Sequence, residues 1–211
     1  MQLNRHRRSR GFTLAEVLVT SVLLVLISST IFTVYRYQMF AFKAQEAQLD
    51  TQESARGLID LMSREIRLAG YDPRCTKAFA GVVAASAQGL QIQFDGDEDG
   101  AIGAGENIVY AWDTSVGGLT RSAGGEPVLL VTGTSTALTF VYYDANGNLL
   151  VPAGTPPTLT AAQRTAVRRI KVVLHVEKPN PDPLTGSVLV SEVVSNVDLR
   201  NRFLNGGVAC P

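Results

Sequence analysis

The chain has 211 residues, 45% of them hydrophobic and 18% charged, which suits one domain with an appendage and excludes wholesale disorder. Lysine plus arginine (19) balances aspartate plus glutamate (19), but Arg5, Arg7, Arg8 and Arg10 crowd the amino terminus, so residues 12–211 hold 15 basic against 19 acidic groups. A net-negative body argues against nucleic acid as a partner, because phosphate affinity rests on concentrated positive charge. The histidines are His6 and His175, and the cysteines Cys75 and Cys210. These numbers exclude a histidine-rich zinc centre and a Cys-x-x-Cys site, and leave a Ser-His-Asp system His175 alone. The chain is not expected to be an enzyme.

Val17 to Tyr35 is a run of 19 residues without a charge. As a helix it is about 28 Å long, close to the thickness of a bilayer core. The arginines precede it, so the positive-inside rule puts residues 1–11 in the cytoplasm and everything after Arg36 across the membrane. A secretory signal would carry small residues beyond the apolar run, whereas Ser28, Ser29 and Thr30 lie inside it. A plain anchor leaves Glu16 unexplained, since an unpaired charge in the bilayer is costly. The string Arg10-Gly11-Phe12-Thr13-Leu14-Ala15-Glu16 resembles the processing site of type IV prepilins. The resemblance implies that a prepilin peptidase removes residues 1–11 by cutting after Gly11 and methylates the new terminal Phe12. It also implies that the Glu16 carboxylate pairs with a neighbouring subunit's terminal amine and so fixes subunit register, as opposite charges in a low-dielectric place prefer each other.

Proline is absent until Pro73, and Gly57 is the only glycine between Phe12 and Ala69. One helix is therefore expected over 12–70, with 12–35 transmembrane and Gly70 as its stop. In its second half Ile59, Met62, Ile66 and Ala69 form an apolar stripe widened by Leu58 and Leu61, while Arg56, Asp60, Ser63, Arg64 and Arg67 are expected on the solvated side. The segment Leu61–Tyr71 with Cys75 after it, and Val197-Asp198-Leu199-Arg200-Asn201 near the other end, resemble the corresponding parts of PilW-type minor pilins. The Ala69-Gly70-Tyr71 string also reads simply as a glycine cap with an aromatic folded over it.

Residues 71–211 read as a β-rich head. Strands are expected at 90–94, 107–112, 127–132, 137–143, 168–177, 186–194 and 197–199, with a short helix over 160–167. Asn146-Gly147 signals a hairpin turn, and Pro152–Pro157 and Pro179–Pro183 signal surface loops. A long helix packed on a mainly antiparallel sheet is the α+β class, a pilin-like outline. His175, Trp112 and the Tyr142/Tyr143 pair read as strand or core residues, and the Arg164, Arg168, Arg169 and Lys171 cluster as a solvated face.

Residues 95–106 match the twelve-residue calcium loop: Asp95, Asp97 and Asp99 at positions one, three and five, Gly100 at six, Ile102 at eight and Glu106 at twelve. Ala101 would offer its backbone carbonyl and Gly103 a water position, with Glu106 bidentate. The flanks read as strands rather than the paired helices usual for such loops, and an acidic hairpin tip that merely stays soluble is the alternative. Across the membrane the compartment is oxidising, which favours a Cys75–Cys210 disulfide over two free buried thiols.

Together these features lead to the expectation of a minor type IV pilus subunit with a calcium-stabilised head, active in initiation or capping of the filament. The resemblance implies other minor and major pilins, the prepilin peptidase, an inner-membrane assembly platform and the membrane itself as partners. The head would be periplasmic before assembly and displayed on the pilus filament at the cell surface afterwards. A minor pseudopilin of a type II secretion system, similar to the GspJ type, is the alternative, with a membrane-anchored adhesin behind it.

Overall fold

A computed structural model of the chain describes residues 11–76, 80–132, 137–181 and 187–200. Helix α1 spans Leu14–Leu68, two residues inside the expected 12–70 at each end. Its 55 residues make a rod about 82 Å long. Thr13 caps the amino end. At the other end Gly70 adopts a φ of 78°, the left-handed conformation that ends a helix and that glycine enters without a steric penalty.

The apolar stripe is the buried face of α1, as expected: Ala55, Ile59, Met62, Ile66 and Ala69 are all buried, while Arg56, Asp60, Arg64 and Arg67 are exposed. Ser63 corrects the sequence reading. It is buried rather than solvated, and its hydroxyl lies 3.1 Å from Ser195 Oγ across the helix–sheet seam. A paired hydroxyl can be buried at little cost, and hydrophobic periodicity does not register it.

The head contains two antiparallel sheets. Strands β1 (Val82–Ala85), β2 (Gly89–Gln93), β3 (Asn107–Asp113), β4 (Gly118–Ala123) and β5 (Val128–Thr132) form a five-stranded meander in chain order. Strands β6 (Ala137–Tyr143), β7 (Leu149–Leu150), β8 (Arg169–Pro179) and β9 (Val188–Asp198) form a second sheet in the order β7-β6-β8-β9, with helix α2 (Ala161–Ala166) between β7 and β8. Antiparallel pairing and one long helix make the α+β class expected from sequence. Strands β1 and β4 were not foreseen. The first is four small or branched residues, and the second is a Gly/Ser/Thr-containing run flanked by glycines. The pieces expected at 186–194 and 197–199 join in the single strand β9, where Ser195 and Asn196 keep the ladder to β8.

The two sheets share one core. Ile170, Val172, Leu174 and Val176 of β8 point inward, and with Leu138, Phe140 and Tyr142 of β6 they meet Met62 and Ile66 of α1 and Leu90, Ile92, Ile108 and Tyr110 of the meander. The β1–β2 turn stitches the sheets together, since Phe140 N–H donates to Ala87 O (2.8 Å) and Tyr142 Oη to Ser86 O (2.7 Å). Gly147, with a φ of 82°, makes the expected β6–β7 hairpin turn. Gly81 is fixed by space: a Cβ there would stand 2.6 Å from Gly70 N.

Candidate functional site

The first site is the amino-terminal segment. Gly11 and Phe12 are exposed just before α1, and a Cβ placed on Gly11 would meet nothing within 4 Å. The fold of this chain therefore sets no demand for glycine there. Glu16 completes a capping box: its Oε2 accepts from Thr13 N–H (2.9 Å) and Thr13 Oγ (2.9 Å), and Glu16 N–H donates to Thr13 Oγ (3.3 Å). This satisfies helix-end donors and gives the carboxylate local partners at the start of the apolar run. Within that run the hydroxyls of Thr20, Ser21, Ser29, Thr30 and Thr33 all bond back to helix carbonyls three or four residues earlier. A lipid phase, which offers no donors or acceptors, tolerates hydroxyls arranged this way. Helix α1 is long and apolar enough to cross a membrane, and its first half is exposed in the monomer.

The second site is the loop between β2 and β3. The ladder runs to the Gln93–Asn107 pair, so the acidic loop sits at the tip of a hairpin, as expected. Asp95, Asp97 and Asp99 each bring a carboxylate oxygen within 4.8 Å of the others. Asp95 is fully buried; it accepts from Asp99 N–H (3.1 Å) and Gly100 N–H (3.0 Å). Asp99 Oδ1 accepts from Ala101 N–H (2.7 Å). Gly100, at loop position six, has a φ of 83°, the sharp turn that this position requires.

Glu106, expected at position twelve of the ligand set, turns its carboxylate to the loop backbone. It is not part of the aspartate group. Its Oε1 accepts from Gly96 N–H (2.6 Å) and Asp97 N–H (3.0 Å), and its Oε2 from Gly103 N–H (2.6 Å), so it ties the loop shut through backbone amides. The Gly103 amide, with those of Asp97 and Gly96, holds its carboxyl below the ordinary range against the opposing effect of burial. The converging aspartate oxygens suit a hard divalent cation, whose oxygen ligands stand about 2.3–2.6 Å from the metal. None of the ion pairs among the described residues neutralises Asp95, Asp97 or Asp99.

A third cluster was missed by sequence reasoning. Glu65 faces the meander, where Arg121 donates from Nη2 to Oε1 (2.6 Å) and from Nε to Oε2 (3.1 Å), and the buried Tyr110 hydroxyl donates to Oε2. Burial first, then the bond to Glu65, pushes the Tyr110 hydroxyl well above its usual range, so it stays a proton donor. Elsewhere His175 sits on β8 with Nε2 2.6 Å from Glu192 Oε2, half-exposed as expected for a strand histidine. The cluster at 164–171 is engaged locally: Arg169 pairs with Asp198 (2.7 Å), Arg164 donates to Leu159 O, and Arg168 donates to Thr165 O. Cys75 lies in the turn after α1 with a φ of 56°, while Cys210 lies outside the described residues.

Asp113 and Asp144 are held below the ordinary carboxylate range, the first chiefly by the Ser115 hydroxyl and the second by the Asn148 side-chain amide. A carboxylate whose folded pKa is depressed contributes stability above its unfolded value of about 4, and that contribution disappears as pH falls through the folded value. The urea midpoint is therefore expected to be flat from neutral pH down to about 5 and to fall below about 4. Asp144→Asn should give a shallower acid limb; an unchanged slope would remove this turn from the acid response.

The family model for the prokaryotic N-terminal methylation motif matches residues 6–32. The match covers the processing string, Glu16 and most of the charge-free run, and stops before the amphipathic half of α1. Proteins carrying this motif are structural, and the motif points to other pilins and membrane assembly machinery as partners. No curated protein and no solved structure matches the chain. With the methylation motif running into a 55-residue helix that leads into a β-rich head, the chain joins a type IV pilin-like amino-terminal signal to an α+β, pilin-like architecture.

Proposed function

We propose that the chain is a minor subunit of a type IV pilus, cleaved after Gly11, methylated at Phe12, and working in initiation or capping of the filament. The observation that carries this reading is the methylation motif joined without interruption to α1. The apolar half of α1 holds the precursor in the bacterial inner membrane with the head on the periplasmic side, and the same surface enters the filament when the subunit is extracted. Glu16 then exchanges its contacts with Thr13 for a neighbour's terminal amine.

The 95–106 loop is proposed to bind calcium through Asp95, Asp97 and Asp99, with the Ala101 carbonyl and a water beside Gly103 as further oxygens. Glu106 joins the ligand set once its carboxylate turns from the loop amides. Supporting this are the convergence of the aspartates, the left-handed Gly100 and the twelve-residue spacing. A Cys75–Cys210 disulfide is proposed to tether the tail to the base of the helix, supported by Cys75 not being a free thiol. In the chain-entropy model such a long loop contributes up to about 5 kcal/mol.

The test is the amino-terminal mass of the protein in native membranes and in sheared surface material. A peptide beginning at methylated Phe12 is expected in both. Gly11→Val should abolish the processed form, leaving the leader attached and the protein absent from the sheared fraction, while the head folds unchanged because nothing packs on Gly11. An intact Met1 start confined to membranes would overturn the pilin reading. Loss of exoprotein secretion rather than of surface pili on deletion would assign the chain to a type II secretion system.

A further inference from the structure

We propose that the head carries a saccharide-binding site, in a cavity of about 300 Å³ where the β6–β7 turn meets the start of β8 and the end of β9. The cavity lies far from the membrane half of α1. Lys178 sits beside Asp50 and Ser195 beside Ser63, so β8 runs antiparallel to α1, and Arg169 at its start lies beyond Ser63 in the direction of Leu68. From Tyr35 to Leu68 the helix rises about 50 Å, so the cavity opens at the end of the head that faces away from the bilayer.

Backbone bonds build the walls. Arg168 N–H donates to Tyr143 O (2.8 Å) and Leu199 N–H donates to Arg168 O (2.8 Å), which ties the ends of β6, β8 and β9 together. Asp144 folds the turn, its Oδ1 accepting from Asn146 N–H (2.8 Å) and Asn148 N–H (2.8 Å) and its Oδ2 from Asn148 Nδ2 (2.9 Å). Ala145 and Gly147 line the cavity with little bulk and so leave it open. Tyr142 and Ile170 point into the core, so alternation turns Tyr143, Arg169 and Asp198 to the outer face, where the register pairs them across the three strands.

These side chains offer the groups that a sugar requires. Arg169 uses Nε on Asp198 Oδ1 (2.7 Å), an orientation that leaves its two terminal nitrogens as a fork of donors. Arg168 is braced at the wall by Nη1, which donates to Thr165 O (2.9 Å) and Val167 O (3.0 Å). Asp198 is the acceptor beside the Arg169 fork, and this pair is exposed enough that sharing it with a ligand costs little. Asp198 chiefly, and the Tyr143 phenol less, raise the Arg169 pKa, which places the phenol near the fork. A sugar hydroxyl both donates and accepts, so neighbouring hydroxyls match a guanidinium next to a carboxylate, while the apolar face of the sugar suits a tyrosine ring. Two arginines and two aspartates cancel in charge, which favours a neutral ligand over a phosphate or an acidic peptide. The volume is at the small end of ligand pockets and suits a short saccharide.

The experiment is saturation-transfer NMR on the purified full chain in a sugar-free detergent. The probes are the methyl glycosides of glucose, galactose, mannose and N-acetylglucosamine, with glucuronate and inorganic phosphate as charged controls. At least one neutral glycoside is expected to receive saturation, with a dissociation constant on the order of a millimolar. Arg169→Ala should weaken that binding by about ten-fold or more, and Ala145→Trp, which fills the cavity from its rim and removes no charge, should abolish it. Both positions are exposed, so the urea midpoint is expected to stay in place and the loss reads as binding rather than unfolding. No transfer to any of the four glycosides, or transfer that survives in both variants, would overturn the site. Binding of glucuronate or phosphate without a neutral glycoside would overturn the saccharide assignment in favour of an anion site. Processing at Gly11 is measured separately, so the pilin reading stands or falls on its own.

Discussion

Arg121→Ala is expected to destabilise the head by about 3 kcal/mol, near the lower end of what removing one member of a buried pair costs. The lower end applies because both side chains keep some contact with water, 25% for Arg121 and 14% for Glu65. The substitution removes two guanidinium donors from Glu65 and leaves its carboxylate with the Tyr110 hydroxyl in a largely desolvated place. That arrangement is worse than having no polar group there. Replacing the set together, as Glu65→Leu, Arg121→Met and Tyr110→Phe, should therefore recover most of the loss, since buried ion pairs exchange for apolar side chains at little net cost. Urea unfolding of the full chain in detergent measures both variants. A loss under about 1 kcal/mol for Arg121→Ala would mean that water already screens the pair.

The Glu65 cluster also marks the limit of what local pattern can disclose. The apolar stripe of α1 is legible because the helical period places Ile59, Met62, Ile66 and Ala69 on one face whatever they pack against. Glu65 belongs to the edge of that face, but its partner Arg121 is 56 residues away on a strand bracketed by glycines, so no local window contains both. Ser63 with Ser195 fails for the same reason: a buried hydroxyl pair has no periodic signature. Strand β8 was readable from its alternation, whereas β1 is too short for alternation to register, and the meander recruits it through pairing with β2. The convergence of the loop's aspartates was readable because their alternate spacing lies within one short turn. The placement of Glu106 was not, since it depends on which amides the closed hairpin turns towards its carboxylate.

Asp97→Asn is expected to change stability in opposite directions with and without calcium. Asp97 is one of the two exposed members of the converging group, and its one bond within it, from Asp99 N–H at 3.2 Å, is one an asparagine oxygen can still accept. The substitution thus removes a charge while sparing the local turn. In excess calcium the wild type gains about 2.7 kcal/mol when the free ion is a hundred times its dissociation constant. A ten-fold loss of affinity from the missing carboxylate takes back about 1.4 kcal/mol of that. In chelator the wild type has three like charges within 4.8 Å and the variant two, so the variant becomes the more stable protein. Matched urea titrations in the two conditions read the inversion directly. Cation binding requires the sign to change, because the carboxylates that attract the ion are the same groups that repel one another in its absence. If the variant is equally or more stable in both conditions, the acidic tip is only a soluble turn. If it is less stable in both, Asp97 serves the fold through the hairpin and not through an ion.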